Sequence, residues 1–108
     1  MSWEEKLKLY DHLVSQCPDF ERKGKNMVYT SANGYMFSQL NKDGELGIRL
    51  PNNLAAEFLA TYDSGPFMSY GAKMKDYVRV PDALLEDPGT LKYYLQASYD
   101  YVMTLPSK

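Results

Sequence analysis

Few side chains in this sequence could do covalent or acid–base chemistry. One histidine, His12, and one cysteine, Cys17, stand five residues apart. On a helix that spacing is about 140° around the axis, so imidazole and thiol diverge rather than form a nucleophile and base. A lone cysteine leaves no internal disulfide, and one His with one Cys cannot supply the usual zinc or haem ligand sets. Neither a metal nor a cofactor is expected. Acidic residues could pair in space for proton transfer, but Glu4, Glu5, Asp82 and Glu86 fall at expected helix starts, where carboxylates partner free amides. Catalytic residues are therefore not expected, and the balance leans away from an enzyme.

Arg22-Lys23-Gly24-Lys25 and Lys73-Met74-Lys75 could hold phosphates, yet no glycine-rich loop accompanies them. Short basic runs at strand entrances more commonly mark solvated edges. A pI near 5.3 also argues against a dedicated nucleic-acid binder. Ten tyrosines in 108 residues are the unusual feature, and Tyr93, Tyr94, Tyr99 and Tyr101 crowd the last expected helix. They cannot all point inward, and tyrosine is enriched at protein interfaces.

The elements that must position these residues follow from spacing. Ser2 and Glu5 form a capping box, and Trp3, Leu7, Tyr10, Leu13 and Val14 make the apolar stripe of a first helix that Cys17-Pro18 ends. Met27 to Thr30 reads as a strand, Asn33-Gly34 as a turn and Tyr35 to Leu40 as a second strand. After Asn41-Lys42-Asp43-Gly44, Leu46, Ile48 and Leu50 alternate with Glu45, Gly47 and Arg49 in a third. Pro51-Asn52-Asn53 opens a helix to about Tyr62. Phe67 to Tyr70 and Tyr77 to Val80 are strands joined by a turn over residues 71–75. Helical turns start at Pro81-Asp82 and Asp87-Pro88, the latter leading into the last helix.

A single domain over residues 1–108 is expected, an α+β two-layer sandwich in the order α-β(3)-α-β(2)-α. Its largely antiparallel five-stranded sheet carries the helices on one face. Leu46, Ile48, Leu50, Val78 and Val80 should face the helices. Strand-bearing segments 22–50 and 73–80 carry a net +5 and the helical segments −7, so the opposite, open face should be basic. Arg49, Tyr77 and Arg79 should form an interaction surface there, with Tyr77 the anchor for an acidic protein segment and the last helix's tyrosines next in line. A second reading puts a small-molecule site, or an unrecognised enzyme's pocket, between sheet and helices near Asn33, Tyr35, Tyr70 and Arg49. No apolar run spans a bilayer and the amphipathic, acidic start is unlike a signal peptide. No membrane contact, a cytoplasmic location, and a monomer or weak homodimer are expected.

Taken together, Tyr29-Thr30-Ser31-Ala32-Asn33-Gly34-Tyr35-Met36-Phe37-Ser38, Gly44-Glu45-Leu46-Gly47-Ile48-Arg49-Leu50-Pro51, Tyr70-Gly71, Tyr77-Val78-Arg79-Val80-Pro81 and Leu84-Leu85 form one pattern. It resembles the TfoX N-terminal domain-like family, in particular small stand-alone bacterial members of unknown function, over roughly residues 25–105. The resemblance implies an α-β(3)-α-β(2)-α arrangement similar to secretion-chaperone-like folds. Full-length TfoX proteins are regulators of competence genes and carry a second, C-terminal domain. Met36-Phe37 is followed here by Ser38-Gln39, where many TfoX N-terminal domains have two glycines. The resemblance implies a regulatory or interaction role and carries over no catalytic residue.

Overall fold

The computed structural model describes residues 1–69 and 71–107. In chain order the elements are α1 (Trp3–Ser15), β1 (Lys23–Gly24), β2 (Val28–Ala32), β3 (Tyr35–Leu40), β4 (Leu46–Arg49), α2 (Asn52–Thr61), β5 (Pro66–Ser69), β6 (Ala72–Val80), α3 (Asp82–Leu85) and α4 (Pro88–Met103). The α+β class and the antiparallel sheet are as expected, but the sheet has six strands, ordered β1-β2-β3-β4-β6-β5. The additional strand, β1, is a two-residue pairing of Lys23 and Gly24 with Tyr29 and Val28, too short to leave any alternation in the sequence. Residues 72–75, expected as part of a turn, extend β6 instead, together with Asp76.

Local signals explain the element boundaries. Ser2 Oγ accepts from the Glu5 amide at 3.2 Å while Glu5 accepts from the Ser2 amide at 3.3 Å, so α1 opens on a complete capping box. Those bonds favour the charged carboxylate and hold the Glu5 pKa below its usual value. Asn33 and Gly34 have φ of 56° and 84°, the positive pair that a two-residue hairpin turn requires. The Asp87 side chain caps α4. For α2 the cap differs from expectation: Pro51 takes the N-cap position without a side-chain hydrogen bond.

Strand register sorts the sheet into rows. Val28, Leu40, Leu46 and Val80 lie side by side, as do Thr30, Ser38, Ile48 and Val78. Together with Leu50 these rows face the helices, and their apolar members join one core with Tyr10, Leu13, Phe58, Leu91, Tyr94, Leu95 and Val102. Within that core the Tyr10 hydroxyl lies 2.6 Å from Ser38 Oγ, which also bonds Thr30, so three buried hydroxyls satisfy one another. Between Thr30↔Ser38 and Ser31↔Met36 the register slips, which makes Phe37 the additional residue of a β-bulge. Phe37 thereby joins the core, its ring edge-on to Phe20 at 4.9 Å.

The row between these two, Tyr29, Gln39, Gly47 and Arg79, faces the other way. That face was expected to be open, and it is not. Phe67 is fully buried with its ring directly over Gly47, where an added Cβ would overlap it. Gln39 Nε2 donates to Ser69 Oγ at 2.9 Å, and Asn41 Nδ2 donates to the Met68 carbonyl at 2.9 Å. In the strand order β5 is three places from β3, roughly 14 Å in a flat sheet at ~4.8 Å per strand. Side chains bridge that span only because the sheet curls and folds the β5–β6 hairpin over its back. The register break between Pro66 and Met68 and the left-handed backbone of Asp76, φ 69°, sit where the hairpin bends.

Gly47→Ala should therefore destabilise the protein by roughly 1–3 kcal/mol through overpacking. Phe67→Ala should cost about 3–5 kcal/mol. In urea denaturation the double variant should lose less than the sum of the two by at least about 0.5 kcal/mol, because without the Phe67 ring the added methyl no longer overlaps it. Strict additivity would contradict the packing.

Candidate functional site

Arg49 closes β4 at the point where β3 and β4 part, one residue beyond the last paired positions, Ser38 and Ile48. Ser98 of α4 enters this opening, its hydroxyl donating to the Arg49 carbonyl and lying 3.2 Å from that of Phe37. The helix is fastened again further along. Asn33 Nδ2 donates to the Val102 and Leu105 carbonyls at 2.9 and 2.8 Å, and the Tyr35 hydroxyl donates to Pro106 at 2.6 Å. Asn33 and Tyr35, read from sequence as pocket residues, thus serve the C-terminal end of α4. Tyr70, the third, lies outside the described residues.

This fastening puts two rings around one cation. The Arg49 guanidinium carbon is 5.4 Å from the centre of the Tyr35 ring and 5.8 Å from that of Tyr101. Its nearest carboxylate, Asp76, is 3.9 Å away, beyond hydrogen-bond reach. Nε is buried without an acceptor, while the side chain as a whole keeps 22% of its surface exposed. Sequence reasoning placed Arg49 and Tyr35 together in the pocket reading and Arg49 also on the open-face surface with Tyr77 and Arg79. Asp76 was named for neither, and Tyr101 only with the tyrosines of the last helix, since nothing in the sequence ties a residue of β6 and a residue of α4 to the end of β4.

Tyr77 does not form an exposed anchor. It is 9% exposed, its ring stacks on Phe67 at 5.8 Å and its hydroxyl donates to the Met36 carbonyl at 2.7 Å. Burial under the hairpin drives its pKa up, partly offset by the positive charge of Arg49. Arg79 is half-buried one register away, at the rim of a cleft of about 340 Å³ shared with Lys6, Asp63 and Asp82. The three residues expected to form one surface are therefore divided between a cradle, an interior and a cleft.

His12 is exposed and hydrogen-bonded to Gln16 at 2.8 Å, whereas Cys17 is buried in the core, with burial pushing its thiol pKa up. Among the described residues no helix is long and apolar enough to cross a membrane.

Among the described residues the outer face of α4 carries the most exposed large apolar side chain, Tyr93, at 61%. Its ring stands edge-on to Tyr94 at 5.1 Å. Beside it Gly89 and Ala97, one turn either way, leave a recess of about 350 Å³ rimmed by Lys92, Gln96 and Asp100. Tyr94 belongs to the core, packed edge-on to Phe58, and burial with the neighbouring Tyr62 hydroxyl pushes its pKa up to about 12.

No family model, curated protein or solved structure matches the chain.

Two tests follow from this geometry. Arg49→Glu sets a carboxylate against Asp76 and should cost on the order of 2 kcal/mol. Arg79→Glu should cost less than about 1 kcal/mol by thermal melting; equal losses would contradict the cradle. Tyr10, Tyr77 and Tyr94 all ionise later when folded than when unfolded. Their contribution to stability is complete below the unfolded value of about pH 10 and is lost as pH rises through the folded values. Tyrosinate absorbance should accordingly show a late group of hydroxyls released together with unfolding. One simple titration near the free value would refute the burial of all three.

Proposed function

We propose that this chain is a non-enzymatic interaction or regulatory module that binds a protein partner through the outer face of α4. The observation that carries this is Tyr93. A large ring in water, already oriented by Tyr94, offers contact area at little further ordering cost, and the adjoining recess with its polar rim has the anatomy of a binding hot spot. The pattern resembling the TfoX N-terminal domain-like family supports the same reading, and with it a bacterial, cytoplasmic setting.

The test compares proteins retained from native cytoplasm by the wild type, Tyr93→Phe and Tyr93→Asp. The expected result is that wild type and Phe variant retain the same partner, while the Asp variant melts normally and loses it. A folded Asp variant that retains the same proteins as the wild type would overturn the assignment.

A further inference from the structure

From the cradle around Arg49 we propose a second binding site, independent of the α4 surface, that takes a planar carboxylate. A guanidinium presents five N–H donors in a rigid fork, and burying such a group without acceptors is costly. Among the described residues Arg49 has no hydrogen-bond acceptor for its side chain, and its Nε is closed off from solvent. The two tyrosine rings hold it by their faces, which fixes its plane without satisfying a single N–H. Tyr35 is itself tied to Pro106, and α4, which carries Tyr101, is tied to β3 and β4 through Ser98. The fork is thus presented by packed strands and a helix, with its side chain still partly open to solvent.

Shape rather than charge selects among anions. At 3.9 Å Asp76 neutralises part of the guanidinium's charge without meeting its hydrogen-bonding geometry. For a dianion the attraction to Arg49 and the repulsion from Asp76 both double, so the planar fork between two ring faces decides. A planar carboxylate needs one charge and two acceptors, which matches the fork in bidentate fashion, and an attached apolar or aromatic group can lie along Tyr35 and Tyr101. The carboxylate can belong to a small organic acid or to a glutamate of a protein segment.

The assay observes the Arg49 Nε–H resonance and the backbone amides of Leu50 and Tyr77 while benzoate, a capped peptide Gly-Ser-Glu-Ser-Gly, or inorganic phosphate is added. Arg22, which already holds Asp11 through Nε at 2.7 Å, serves as the unresponsive control. Saturable shifts at Arg49 with benzoate or the peptide support the site, and which of the two acts at lower concentration identifies the source. Arg49→Lys should abolish the shifts at Leu50 and Tyr77. Asp76→Asn, compatible with the left-handed backbone there, should tighten binding roughly fivefold by removing the like charge that stands beside the guanidinium. Absence of saturable shifts with either carboxylate, tighter binding of phosphate, or weaker binding by Asp76→Asn would each overturn the proposal. Loss of α4 binding in the Tyr93 variants would leave it untouched.

Discussion

The ring of Phe67 lying on Gly47 is the contact from which the arrangement of the sheet follows. A glycine in mid-strand normally weakens a sheet, since it has no side chain to pack. Here the missing side chain is the space into which an aromatic ring fits. With that ring seated, β5 cannot continue flat beyond β6 and must turn back across the strands. Ser69 and Met68 then come within reach of Gln39 and Asn41, and Tyr77 is enclosed under Phe67. A four-stranded core layer becomes a curled sheet with packed groups on both faces, and the basic surface expected on its back is largely replaced by an interior.

The helical layer is tied down by polar contacts as well as by its apolar stripe. Tyr10 from α1 and Ser98 from α4 each send a hydroxyl into the sheet, the first to Ser38 and the second to the carbonyls where β3 and β4 separate. Buried hydroxyls tolerate only the arrangement that pairs them, so these contacts specify helix position more narrowly than apolar packing does. The lateral position of α4 determines where Tyr101 stands, and with it the cradle around Arg49. Tyr93, two turns earlier and about 80° further around the same helix, is left in solvent by the same placement.

The charge pattern takes on a different meaning in the folded chain. The ion pairs do not follow the division into basic strands and acidic helices: Lys6 with Asp82 at 3.3 Å joins α1 to α3, and Arg22 with Asp11 links the segment after α1 back to that helix. Exposed pairs of this kind contribute little stability, but they orient neighbouring elements and reduce the net field on any one face. Arg49 differs because its partner is too distant to hydrogen-bond and its surroundings are aromatic.

Much of the fold was legible in the residues alone. The capping box of Ser2 and Glu5, the Asn33-Gly34 turn, the bounds of β3, and the facing of Leu46, Ile48, Leu50, Val78 and Val80 are short-range consequences of side-chain chemistry and period. What the sequence could not reveal was set between residues far apart in the chain. Phe67 meets Gly47 across two strands, a bulge at Phe37 cancels the alternation that should have put it opposite Ser38, and Tyr101 and Asp76 reach Arg49 from a helix and from a bent strand. Alternation tells which face a side chain leaves from, and only sheet curvature, bulges and helix placement decide what it meets there. For that reason Arg49 and Tyr35 could be grouped as candidates from sequence, while the second ring of Tyr101, the distant carboxylate and the burial of Tyr77 beside them were decided by the tertiary structure.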